Sequence, residues 1–223
     1  MDRKARSEKV LKKHKILINP TLSRIADEGE ARLKTPEEIV KRGVTAFLTT
    51  QIAIDILNNA GVEKSVEFFA PILDRFGLRG ELTEDEKPYF DLSQCGGIET
   101  EQANNMQWRL EMVAALFWAC GFIKKLPYPS EMIDTTKQIF LIANSNSFEE
   151  LMKQVKMRSL KDILDATDLI FRMNWACVEA RVKNDPSISG DLFTDVVWEQ
   201  HKGFNWLIGA YDADNWDTVN PHT

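Results

Sequence analysis

Metal-ligating residues are scarce in this sequence. Its 223 residues include three histidines and three cysteines, and Cys95, Cys120 and Cys177 share no close spacing. Structural zinc sites draw on four such ligands, usually as two close pairs, so no metal site is expected. The same scatter argues against a disulfide framework and suits the reduced thiols of a cytoplasmic protein. Long apolar runs are missing too. The longest, Met112 to Ile123, is interrupted only by Gly121; it is too short to span a bilayer and reads as a buried core helix. Met1-Asp2-Arg3-Lys4-Ala5-Arg6 is followed by more lysines rather than an apolar core, so neither a secretory signal nor a membrane partner is expected. Gly-x-Ser-x-Gly, phosphate-loop and dinucleotide patterns are also absent, and Gly96-Gly97 alone does not replace them. No cofactor is expected.

What the chain has is charge and apolar residues in ordinary proportion, 28% and 43%, enough for a globular protein with a sizeable core. The charge is uneven. Residues 1–15 hold seven Lys/Arg against two acids, whereas residues 184–223 hold one Lys against seven acids. The basic start is short, lacks interleaved aromatics and belongs to a chain of net charge −6. Nucleic-acid binding, which needs a sustained basic patch, is therefore not expected. A solvated helix face meeting the acidic C-terminal end is the simpler reading.

Helix signals dominate. A charged helix is expected over 3–14. Thr35-Pro36-Glu37-Glu38 has a cap, Pro at the first helical position and Glu at the third, which opens an amphipathic helix running to Leu57. Another follows at 62–76, ended by Gly77. Thr83-Glu84-Asp85-Glu86 repeats the capping pattern, and Asp91 to Gly97 reads as a loop. A central helix is expected over about 99–122, apolar on every side after Glu111. Further helices are expected at about 130–143, 147–155, 160–183 and 194–210. No alternating strand pattern stands out. The expected fold is all-α: a single irregular multi-helix domain of about eight helices, its core in the C-terminal half. Residues 1–34 would form a basic arm and connector, 35–210 the helical body, and 211–223 an acidic tail packing back.

Three of these helices place charge beside tryptophan: Trp108-Arg109-Leu110-Glu111 with Trp118, Asp168 to Arg172 with Trp175, and Trp198-Glu199-Gln200-His201 with Asn205-Trp206. Charge is rarely buried unless it is paired, so a shared polar cluster is expected. Asp168, Arg172, Trp175 and Glu179 fall on one helical stripe, as do Trp108, Glu111, Ala115 and Trp118. His201 and Asn205 are neighbours one turn apart, while Glu199 lies about 200° round the helix from His201. Glu199 and His201 therefore cannot converge as zinc-protease residues do.

Those motifs, with Leu116-x-Trp118-Ala119-x-Gly121, Ala180-Arg181, Trp216-Asp217 and Thr223, resemble one bacterial family, the domain of unknown function family numbered 4272. The stretch Arg32-x-x-Thr35-x-Glu37-Glu38-Ile39 is similar to its N-terminal half. The resemblance covers nearly the whole chain and implies a helical fold, with no established activity to carry over. Gln200, Asn174, Thr218 and His222 stand where the family has arginine, histidine and acids. Chemistry carried by those positions in relatives would be lost here.

Two functions are open. The first is a non-catalytic intracellular binding or interaction module, in which Arg109, Glu111, Arg172, Glu199 and His201 are chiefly structural. The second is a hydrolase or transferase acting on a small anionic substrate. Arg109 and Arg172 would then hold the anion with Trp175, Glu199 and Asn205, and Glu111 or His201 would serve as acid or base. The partner is an unidentified protein or a small anionic ligand. Solvent access to these side chains discriminates between the two.

Overall fold

In a computed structural model that describes residues 2–221, the chain is all-α, with eight α-helices and no strand among the described residues. It divides into two compact units. The central unit comprises Thr35–Leu126 and Ile133–Met157. The terminal unit combines the residues up to Lys34 with Pro127–Met132 and the chain from Arg158 on.

In the central unit, α2 (Pro36–Leu57) packs along α4 (Thr100–Ala119), with α3 (Val62–Arg75) also against α2. Thr35 and Glu38 cap α2 reciprocally: the Thr35 side chain accepts from the Glu38 N–H, and the Glu38 carboxylate accepts from the Thr35 N–H at 2.7 Å. The helix is buried on nearly every face from Ile39 to Ala53 rather than amphipathic. Its threonines tolerate this by returning their hydroxyls to their own helix, as Thr49 does to the Thr45 carbonyl at 2.8 Å. Burial in this unit thus comes as much from α2 as from α4.

The Thr83 capping pattern opens no α-helix. The Glu86 carboxylate does accept from the Thr83 N–H, at 3.1 Å, but only a 3₁₀ turn follows, Lys87–Phe90. Pro88 explains the difference, since inside a helix it removes a donor and its ring clashes with the preceding turn. At the end of α4, Gly121 has φ +87, and a Cβ there would meet the Lys156 carbonyl oxygen at 2.7 Å. The Lys156 N–H in turn donates to the Cys120 carbonyl. α5 (Thr136–Asn144) and α6 (Phe148–Met152) complete the unit; α5 starts later than its pattern suggests, behind an Asp134 side chain that caps the Thr136 N–H.

The terminal unit is built on α7 (Leu160–Lys183), which packs against α1 (Arg3–Lys13) and α8 (Thr194–Ile208). Residues 1–34 are integrated into this unit rather than extended from it. Arg3, Ser7 and Leu11 form the buried stripe of α1. Of its cations, Arg3 and Arg6 pair with Asp165 of α7. Arg32 and Lys34 instead reach Asp212 and Asp214. The same segment closes α8, with the Arg32 and Lys34 N–H groups donating to the Ile208 and Leu207 carbonyls that the helix end leaves unsatisfied. Trp216 is buried edge-on against Trp206, with ring centroids 5.4 Å apart. His222 and Thr223, which carry part of the family resemblance, lie outside the described residues.

Candidate functional site

The candidate residues fall in both units: Arg109 and Glu111 in the central one, Arg172, Trp175, Glu199, His201 and Asn205 in the terminal one. In the terminal unit, α7 turns its charged stripe inward at Asp168 and Arg172, which are 0% and 2% exposed. Arg172 Nε donates to Asp168 at 2.9 Å and Nη2 donates to it at 3.1 Å. Nη1 and Nη2 also donate to the Leu22 and Ser23 carbonyls, both at 3.1 Å. The Ser7 hydroxyl of α1 donates to Asp168 at 2.6 Å. One ion pair therefore ties α7 to α1 and to the loop at 22–23. Further along the stripe, Trp175 is half-buried and Glu179 pairs with Lys183.

On α8, His201 and Asn205 are fully buried. The His201 ring lies against Phe171 of α7, centroids 5.7 Å apart, and the Asn205 amide donates to the Asn220 carbonyl at 3.3 Å. Glu199 turns elsewhere and takes both of its hydrogen bonds from Lys202 at 2.9 and 3.0 Å. Of the six tryptophans, Trp206 and Trp216 are buried, whereas Trp108, Trp118, Trp175 and Trp198 are half-buried.

In the central unit, Glu111 is fully buried and accepts from the Ile133 N–H at 2.7 Å, fixing the chain after α4. Arg109 pairs with Asp85, at 2.6 Å. Behind that pair Glu86 is buried against Arg42. Burial pushes the Glu86 carboxyl up, against the pull of Arg42 and Arg109.

Arg109 also lines a pocket of about 370 Å³. One wall is a stripe of α4, Gln102, Asn105, Met106 and Arg109, spaced i, i+3, i+4 and i+7. The facing wall comes from Asp85, Pro88 and Tyr89 around the 3₁₀ turn, with Ile98 beside them. Burial pushes the Tyr89 phenol up to about 12, despite the nearby Arg109, so at neutral pH it remains a neutral donor. Sequence reasoning had named Arg109 but missed its partners. The readable signal was the polar stripe in the first half of α4; the facing wall carried none, because Asp85 and Tyr89 join it only through tertiary packing. Burial also pushes the Cys120 and Cys177 thiols up, to about 12 and 11. Among the described residues, no three His, Cys, Asp or Glu side chains gather as metal ligands would. No described helix is long and apolar enough to cross a membrane.

Comparison with known proteins places this geometry in a family. A family model described as Domain of unknown function (DUF4272) matches residues 3–219, nearly the whole chain, and the chain belongs to that family. No curated protein and no solved structure matches it.

Proposed function

We propose that this member of the DUF4272 family is a non-catalytic binding or interaction module whose buried charges hold its helices in place. The observation that carries this reading is the state of Arg172. All three guanidinium nitrogens are spent on Asp168 and on the Leu22 and Ser23 carbonyls, and the side chain is 2% exposed. Glu111 and His201, the residues that acid–base chemistry would need, are equally sealed. An acid or base must come within hydrogen-bond reach of its substrate. A guanidinium with four of its five N–H donors engaged has little left for an anion. Arg109 borders a ligand-sized pocket.

The reading is tested by a thermal-shift screen of small metabolites, followed by mass-spectrometric monitoring of every compound that binds. The expected result is saturable binding with each compound recovered unchanged. Turnover lost in Glu111→Gln or His201→Asn, with the fold intact by circular dichroism, would overturn it in favour of the hydrolase or transferase alternative.

A further inference from the structure

We infer that the pocket between α4 and the 3₁₀ turn takes a neutral nucleobase-like ligand, a flat heterocycle with adjacent hydrogen-bond donor and acceptor, as a free base or a nucleoside. The inference rests on the reading of the chain as a binding module and adds the chemistry of its ligand.

The pocket grades from an apolar interior to a polar mouth. Its most buried walls are Met106 and Tyr89, 4% and 3% exposed. Pro88 and Ile98 are half-buried, whereas Gln102 and Asn105 of α4 are exposed. That gradient suits a ring that buries its faces and keeps a polar edge at the opening. The interior carries a polar handle, the Tyr89 hydroxyl. It is not sealed, it bonds to no described residue, and at neutral pH it keeps its proton. Buried phenols usually find a hydrogen-bond partner, and a ring nitrogen or carbonyl of a heterocycle supplies the acceptor. At the mouth, the Gln102 oxygen accepts from the Glu99 N–H at 3.1 Å, which leaves the Gln102 NH₂ to donate. Asn105, three positions on along the same face, has both a donor and an acceptor to offer. Carboxamides are the side chains whose donor and acceptor match the edge of a base.

The charges around the pocket favour a ligand without net charge. Asp85 contacts Arg109, Glu84 contacts Lys87, and Arg109 also acts on Glu86 behind the wall. A neutral ligand leaves all of these interactions as they stand. A phosphate would have to approach the exposed carboxylates of Glu84 and Asp85, which repel it, so the base or nucleoside is favoured over its nucleotide. A sugar carries hydroxyls on every edge and matches the apolar interior less well. A volume of about 370 Å³ is at the small end for ligand cavities and suits a molecule of nucleoside size rather than a dinucleotide.

The test is isothermal titration of the full chain with adenosine, inosine, cytidine and uridine, each beside its free base and its 5′-monophosphate, and with D-ribose. At least one nucleoside or base should bind saturably, more tightly than the matching monophosphate and than ribose. Tyr89→Phe keeps the ring and removes only the hydroxyl. Asn105→Ala changes an exposed position of α4. Each should weaken that ligand about three- to tenfold, the loss expected for one hydrogen bond. Should Tyr89→Phe fail to fold by circular dichroism, Asn105→Ala decides. No saturable binding by any nucleoside or base, a monophosphate or ribose that binds as tightly, or an affinity unmoved by the substitutions would overturn the inference, while compounds returned by the metabolite screen would still uphold the binding-module reading. Conversion of the bound nucleoside would do the reverse, sparing the pocket and removing the non-catalytic reading.

Discussion

Replacing Arg172 by methionine removes one guanidinium and disturbs three elements of the terminal unit at once. Asp168, fully buried, would keep only the Ser7 hydroxyl from α1, and the Leu22 and Ser23 carbonyls would lose their donors. Breaking a buried pair by removing one partner costs about 3–5 kcal/mol, because an uncompensated charge is left behind. For a chain of this size that lowers Tm by roughly 6–20 °C. Arg172→Met, Asp168→Asn and the double variant should be compared by urea denaturation followed by far-ultraviolet circular dichroism. The double variant strands neither charge, so its loss should fall short of the sum of the single losses by about 1 kcal/mol or more. A loss below about 1 kcal/mol for Arg172→Met, with an additive double variant, is what an exposed pair would give; it would refute the structural role.

Other outcomes follow from particular contacts. Gly121→Ala places a Cβ at φ +87 against the Lys156 carbonyl; a cost of about 1–3 kcal/mol is expected, and an unchanged denaturation midpoint would refute the close approach. Burial pushes Asp165 up, but Arg6 and Lys161 outweigh it and hold the carboxyl below its ordinary range. A depressed carboxylate contributes stability that is complete above the unfolded-state value, about 4, and is lost as pH falls through the lower folded value. Asp165→Asn should therefore flatten the acid limb of stability against pH, and an acid limb identical to that of the wild type would contradict the pairing. Cys120 and Cys177, with thiols pushed up to about 12 and 11, should resist alkylation in the native state and react on unfolding; rapid native labelling at either would show that its helix opens.

Much of the fold was legible because its boundaries are written in local chemistry. Thr35-Pro36 and Ser159 mark helix starts through their own side chains, and both caps form. Elsewhere a distant or downstream residue decides. Pro88 vetoes the helix that Thr83 and Glu86 announce, and the burial of α2 on nearly all sides depends on hydroxyls that bond back into the helix. The charged stripes showed that Asp168 and Arg172 needed partners. They could not show that the partners would be Ser7 and two loop carbonyls about 150 residues away. Asp85 was equally invisible as the partner of Arg109, since neither periodicity nor spacing links a turn residue to a helix 24 positions on.

The division between the sealed, structural charges and the pocket-lining Arg109 can be tested by backbone-amide NMR of the full chain. It should be titrated with whichever compound the thermal-shift screen returns. The expected result is that the largest shift changes cluster at residues 84–109, around Asp85 and Arg109, while amides near Asp168, Arg172 and His201 stay in place. Largest changes at 168–175 and 197–205, with the Arg109 region unmoved, would contradict the account and return the ligand to the buried cluster of α7 and α8.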